Sequence, residues 1–292
     1  MYDKVISIDC GGTNLRVAVL DKNLNIIAVR RVPSVKNDPI GLYEKMKELI
    51  MIVKEEANMT DIPAIGMSMC GIVQDNMLGR IGNLGIESFD IEALFKRDFP
   101  TAKLLFANDA NCSALVEAEY GANQGVKNSA FVTISTGIGL GIIHNGEMID
   151  LPLEGGRMMI EYKGNIYETE YLLSGKGVVN LARLNDIDLK SAHAFFDGLR
   201  AKDPTMLRLY DIWIRLLGLW LANLQLLFNV DSFAISGGVL NSGDLFVEDL
   251  QKIANAFIAN WHINPIVLKD CKFLQDVGLA AGGALAWHAL KK

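Results

Sequence analysis

Ser7-Ile8-Asp9-Cys10-Gly11-Gly12-Thr13-Asn14 is the stretch on which the fold turns. Residues rich in Val, Ile and Leu precede it at Lys4–Ile8 and follow it at Leu15–Leu20, which predicts a hairpin of two strands around a Gly-Gly turn. The turn has no lysine and lacks the G-x-x-x-x-G-K-[ST] spacing, so it is not a P-loop. Two adjacent glycines still let backbone N–H groups surround an oxyanion with no Cβ in the way. Thr13 and Asn14 add side-chain donors. Asp9, at the strand end, is badly placed for phosphate alone. It makes sense with Mg2+ between them, since that ion takes carboxylate, water and phosphate oxygens. A tight hairpin with a capping Asp accounts for the same residues without any ligand.

Ser135-Thr136-Gly137-Ile138-Gly139-Leu140-Gly141 repeats the plan. It reads as a strand Ala130–Ser135, a glycine turn Thr136–Gly141 and a return strand Ile142–His144. A dinucleotide fingerprint needs G-x-G-x-x-G opening a helix; here the spacing is G-x-G-x-G and a strand follows, so that class is excluded. A third turn, Ser236-Gly237-Gly238-Val239, follows the strand Ser232–Ser236. It could admit adenine or ribose, or simply connect a strand to a helix.

The remaining periodicity gives a strand at Asn25–Val32, an amphipathic helix at Pro39–Ala57, and strands at Ala64–Ser68 and Lys103–Ala107. Helices are expected at Ile91–Phe99, Asn108–Tyr120, Leu207–Asn229 and Gly278–Leu290, with a last strand at Ile266–Leu268. Two α/β halves, each opening with a glycine hairpin, predict a duplicated fold with a boundary near Asn111–Gly121. Ligands of such folds bind in crevices beyond the strand ends.

A chain of 292 residues exceeds one comfortable core. Its net charge of −6 argues against nucleic acid as a partner. Met1–Lys4 runs straight into a strand, with no signal peptide visible. Leu207–Phe228 is apolar enough to raise a membrane span, but Asp211, Arg215, Asn223 and Gln225 interrupt it, which favours a core helix and no membrane partner. Cys10, Cys70, Cys112 and Cys271 form no C-x-x-C pair, as expected of reduced cytoplasmic thiols. His144, His193, His262 and His288 are scattered singly.

Phosphoryl transfer needs positioning, charge neutralisation and a base for the attacking hydroxyl. Asp109, in Phe106-Ala107-Asn108-Asp109-Ala110-Asn111, leaves a buried strand at the expected junction, where desolvation would raise its pKa toward usefulness. Asn and Asp also cap helices. One side chain of the cluster can cap while another serves the chemistry.

The motifs in order resemble the ROK family of sugar kinases and sugar-responsive repressors over nearly the whole chain. They are Asp9–Thr13, Gly66–Gly71, Gly82-Asn83-Leu84, Asn108–Asn111, Ser135–Gly141 and Gly237-Gly238-Val239. The resemblance implies a two-domain actin-like ATPase (ribonuclease H-like) fold, α/β and duplicated, with the active-site cleft between residues 1–115 and 116–277 and the helix 278–292 packing back onto the first. It implies an ATP-dependent kinase acting on the 6-hydroxyl of a hexose or N-acetylhexosamine, like the glucokinase, N-acetylmannosamine kinase or β-glucoside kinase branches. Its cofactors would be ATP and Mg2+, and its state a cytoplasmic homodimer. By the same resemblance Asp109 is the base, and Asn83, Asn108 and Asp109 bond sugar hydroxyls, with Glu154 and Glu170 on the C1–C3 side. Gly11, Gly12, Thr13, Thr136 and Gly137 hold phosphates, and Gly238 and Val239 lie near the adenosine.

One region departs from the family pattern. Zinc-binding members carry a Gly-His pair and a C-x-C-G-x-x-G-C loop, whereas here Arg157 replaces the His and the cysteines are absent. A guanidinium only donates and stays protonated, so no zinc site is expected. Arg157 is expected either to donate to a sugar hydroxyl or to pair with Glu154. The alternative function is a non-catalytic sugar-sensing or regulatory protein on the same fold. Family repressors carry an added N-terminal DNA-binding segment, and here the hairpin begins by Val5. Retention of Asp109 beside two glycine cradles speaks for turnover.

Overall fold

β1 (Lys4–Cys10) and β2 (Asn14–Asp21) form the expected hairpin, paired antiparallel from Lys4↔Asp21 to Cys10↔Leu15. The computed structural model describes residues 2–71, 73–74, 77–79, 81, 84–87, 89–151, 153–273 and 277–291. The chain divides into two units: Met1–Gly121 with Glu147–Pro152 and Gln275–Lys292, and Ala122–Gly146 with Leu153–Leu274.

In the first unit β3 (Ile26–Pro33) adds antiparallel to β2, while β4 (Ala64–Met69) adds parallel to β1. Short strands β5 (Val73–Gln74) and β6 (Met77–Leu78) pair separately, and β7 (Lys103–Asn108) completes the order β3-β2-β1-β4-β7. β4 is buried along its whole length, which is why it reads as an unbroken small and apolar run.

One face of the sheet is covered by α1 (Pro39–Glu56) through Leu42, Tyr43, Met46, Leu49, Ile50 and Val53. Asp38 starts this helix by accepting from Gly41 N at 2.8 Å, with Pro39 in the first turn where its missing N–H costs nothing. α2 (Ile91–Asp98) sends Phe95 between Tyr43 and Phe106, edge to face at centroid distances of 5.1 and 5.2 Å. α3 (Asp109–Glu119) follows β7.

The C-terminal helix α9 (Val277–Lys291) packs on β1 and β4 through small residues. A Cβ on Gly66 would stand 1.9 Å from the Gly282 carbonyl, so only glycine permits this approach. Ser7 Oγ locks it by donating to Leu279 O at 2.6 Å.

The second unit is built on β8 (Ser129–Ile134) and β9 (Ile138–His144), an antiparallel pair. The chain then passes β10 (Glu147–Met148) and the hairpin of β11 (Met159–Tyr162) and β12 (Asn165–Glu168). β13 (Ser232–Ser236) lies parallel to β8, and β14 (Leu268–Asp270) parallel to β13. The run β9-β8-β13-β14 repeats β2-β1-β4-β7 in pairing sense, and this is the duplication. The glycine turn is shorter than expected. Gly139 and Gly141 belong to β9, because Ile138, Leu140 and Ile142 alternate with them at strand period and are buried.

α4 (Thr169–Leu173), α5 (Gly175–Arg183) and α6 (Ala192–Arg200) precede the long α7 (Pro204–Phe228), and α8 (Val247–Ile258) packs on it. Asp203 caps α7 by accepting from Thr205 N and Met206 N at 2.8 and 3.0 Å, and Asn229 ends it in the left-handed conformation. By length and composition α7 could cross a bilayer. Its Leu209, Trp213, Leu217 and Trp220 are buried in this unit, and the two indoles donate to Leu173 O (3.1 Å) and Gly155 O (3.0 Å).

Candidate functional site

In the first unit, three parallel strands end level with one another: Cys10 is opposite Met69, and Met69 opposite Asn108. Asp9, the turn after β1, Cys70 and Asp109 all follow from this register. The turn is fixed from inside, with Gly11 N donating to Asn14 O (2.9 Å) and Ser34 holding it from outside through Gly11 O (2.6 Å) and Thr13 O (3.0 Å). The Gly11 N–H is therefore not free for a phosphate. Gly12 and Thr13 have backbone N–H groups with no acceptor among the described residues, and their surface position suits an anion nest.

Asp9, Gly11, Gly12, Thr13 and Asn14 come together around a cavity of about 450 Å³, joined by Arg16 and Arg31. Arg16 donates from Nε (2.7 Å) and Nη2 (2.6 Å) to Asp9 Oδ2, with both side chains mostly buried. The first described turn of α9 abuts the same carboxylate, and the positive end of a helix suits a negative charge there.

Asn108 is the N-cap of α3. Its Oδ1 accepts from Ala110 N at 2.9 Å and its Nδ2 donates to Gly71 O at 2.8 Å. Asp109 is the first helical residue, its Oδ1 accepting from Ala110 N at 2.8 Å. Asn108 caps the helix as capping chemistry predicts, but the expected desolvation of Asp109 is absent: Asp109 is exposed, being the first helical residue beyond the strand end. Cys70 is influenced by both carboxylates. Burial first, then the charges of Asp109 and Asp9, push its thiol up to about 11. Asn83 lies outside the described residues.

The second unit has a cavity of about 680 Å³ beyond the ends of β8 and β13. Thr136, Gly238 and Val239 line it, together with Lys176, Lys190 and His193. Gly237 takes φ +104°, and a Cβ there would meet Ile134 O at 2.2 Å, so glycine alone allows this close turn. Gly175 N donates to Ser135 O at 2.6 Å, which fixes the start of α5 to the end of β8. The basic residues are not evident from the sequence because they come from segments distant in the chain: Lys176 on α5, Lys190 in the stretch before α6 and His193 on α6. Ser174-Gly175-Lys176-Gly177, a capping Ser before a lysine flanked by glycines, was the available signal.

Gly137 faces a different neighbour. A Cβ on it would lie 2.5 Å from Glu170 Oε2, the atom that accepts from Ile138 N at 2.8 Å. Glu154 is exposed. Arg157 pairs with Glu168, and not with Glu154, which was one of the two expected roles, because the β11–β12 hairpin sets Met159 opposite Glu168 and so brings Glu168 beside the guanidinium. Among the described residues no group of three or more His, Cys, Asp or Glu side chains could hold a metal ion.

The fold, with a glycine turn and a cavity in each repeat, is the actin-like ATPase fold seen in ROK sugar-kinase structures. The chain belongs to the ROK family, whose model matches residues 5–289. It is 23% identical over 310 residues to a glucokinase from Halalkalibacterium halodurans, covering 96% of this chain and 94% of the relative. It is 25% identical over 298 residues to an N-acetylmannosamine kinase from Salmonella newport, covering 96% and 97%. A ROK hexokinase from Thermus thermophilus shares the fold with a TM-score of 0.85 at 24% identity, covering 99% of both chains.

Proposed function

We propose that this chain transfers the γ-phosphoryl group of ATP to the 6-hydroxyl of a hexose or N-acetylhexosamine. The observation that carries the reading is the alignment of Asp9 and the Gly11–Asn14 turn at the end of β1 with Asp109 at the end of β7, β1 and β7 being the outer two of three adjacent parallel strands. Asp109 takes the hydroxyl proton; its exposure in the free protein leaves it open to substrate. Asn108, already fixed by Gly71, orients the sugar beside it. The N–H groups of Gly12 and Thr13 hold phosphate oxygens, and Thr136 and Gly137 do so in the second repeat. The cavity lined by Gly238 and Val239 takes the nucleoside. Asn83, Glu154 and Glu170 are assigned to the sugar, with Arg157 at the rim of that region.

Asp9 fits Mg2+ in the way that ion is usually held, by one carboxylate plus waters and substrate phosphates, with no all-protein cage. Arg16 bonds Oδ2 of that carboxylate, and the contact assigned to the ion is a water-mediated one. When bound, the ion neutralises charge on the phosphate oxygens. A cytoplasmic homodimer is part of the same proposal.

The relatives named for glucose and for N-acetylmannosamine stand at similar identity, so the sugar is decided by assay. ADP release from MgATP is measured against glucose, mannose, fructose, N-acetylmannosamine, N-acetylglucosamine and β-glucosides. Turnover with at least one is expected; none with any, in protein that binds MgATP, points to the sugar-sensing alternative.

A further inference from the structure

The register of the first sheet sets Asp9 opposite Arg16, and Arg16 opposite Arg31, in a row across β1, β2 and β3. Residues directly opposite share a face, and all three line the same cavity. Like charges in such positions destabilise the pairing. Asp9 offsets Arg16 through two short bonds to Oδ2. The next residue back, Arg30, turns to the other face and pairs with Glu56. Arg31 Nε donates to Asn14 Oδ1 at 3.1 Å. That neutral amide aims the guanidinium at the glycine turn without bringing it a negative charge.

We propose that Arg31 binds the non-transferred β-phosphate of the nucleotide, an assignment that rests on the kinase reading above. The planar fork of a guanidinium matches two phosphate oxygens, and a phosphate here relieves the repulsion between the two arginines. Strand order selects the phosphate. Asp109 leaves β7, and in the order β3-β2-β1-β4-β7 Arg31 lies on the far side of Asp9 from it. Two strand spacings of about 4.8 Å separate β3 from β1. The phosphoryl group in transfer must meet the hydroxyl at Asp109, so Arg31 reaches the part of the chain that stays with the nucleoside.

Calorimetric titration of MgADP and of AMP tests this in wild type, Arg31→Gln, Arg31→Lys and Arg30→Gln. Loss of a charged hydrogen bond should weaken MgADP about tenfold or more in Arg31→Gln, with AMP affinity unchanged. Arg31→Lys should fall between, since an ammonium lacks the fork, and Arg30→Gln should match wild type. Unchanged MgADP affinity in Arg31→Gln overturns the proposal. So does an equal loss for AMP, or an equal loss in Arg30→Gln. The titration needs no sugar, so a wild type that binds MgADP but phosphorylates nothing sinks the kinase reading alone.

Discussion

Gly278 lies so close to Asp9 that a Cβ on it would stand 2.3 Å from Oδ1 and 2.4 Å from Cγ. The first described turn of the C-terminal helix thus backs the Asp9 carboxylate of the proposed phosphate clasp, and its glycine is what lets the carboxylate sit there. In Gly278→Ala either the helix or Asp9 must move. The helix is locked to β1 through Ser7 and Leu279, so the displacement falls on Asp9 and its bond to Arg16. Expected is a loss of kcat/KM of about 100-fold, in line with about 1 Å of misplacement, with the thermal midpoint lowered only modestly. Wild-type kinetics in a folded Gly278→Ala protein would show that Asp9 has no part in turnover.

Glu170 separates a structural from a sugar-binding role. Glu170→Ala leaves Ile138 N–H without its acceptor, at a cost of about 1–3 kcal/mol, whereas Glu170→Gln keeps a carbonyl oxygen for it. Equilibrium unfolding should therefore report destabilisation of the alanine variant alone. If the carboxylate contacts sugar, the glutamine variant should raise the sugar KM about tenfold while leaving the KM for MgATP unchanged. An unaltered sugar KM in Glu170→Gln confines the residue to a structural role.

At the other end of α9, His288 Nδ1 lies 2.8 Å from Glu119 Oε1, and Lys291 Nζ 2.8 Å from Oε2. Burial would raise the Glu119 pKa, but the bonds from His288 and Lys291 outweigh it and hold the carboxyl below its usual range. A depressed carboxyl contributes stability above its unfolded pKa of about 4.3, and that contribution is lost as pH falls through the folded value. Melting curves from pH 6 to pH 3 should show wild type losing more stability than Glu119→Gln. Parallel curves would remove Glu119 from the account.

Cys70 reports on both carboxylates of the site. With its thiol pushed up to about 11, about one molecule in a thousand carries the thiolate at pH 8, and alkylation should be slow there. The rate with iodoacetamide should climb with pH toward a midpoint near 11, and Asp109→Asn should lower that midpoint by removing a like charge. Rapid labelling of Cys70 at pH 8 contradicts the placement.

The hairpin at Asp9–Asn14 was legible because the Gly-Gly turn and the flanking Val, Ile and Leu runs are local signals, and the repeat at Ser135 was legible for the same reason. The helix from Pro39 followed from apolar spacing, and the helix start at Asn108-Asp109 from capping chemistry. The row of Asp9, Arg16 and Arg31 was not legible, since it exists only once two antiparallel registers are known. Nor was the partner of Arg157, which depends on the register of the β11–β12 hairpin. Lys176, Lys190 and His193 line one cavity with Val239 only once distant segments have packed together, and periodicity within one segment cannot reveal that. The exposure of Asp109 was missed because a buried strand was extrapolated one residue into the helix that follows it.

The central claim is that Asp109 takes the proton from the acceptor hydroxyl. It is tested most directly by single-turnover phosphoryl transfer in Asp109→Asn, on whichever sugar the wild type uses, with sugar and MgATP binding titrated in parallel. The amide keeps the size and the bond to Ala110 N but cannot accept the proton. A fall of 100-fold or more in the transfer rate is expected, with both affinities within about threefold of wild type. Transfer at the wild-type rate, with binding intact, would contradict the account.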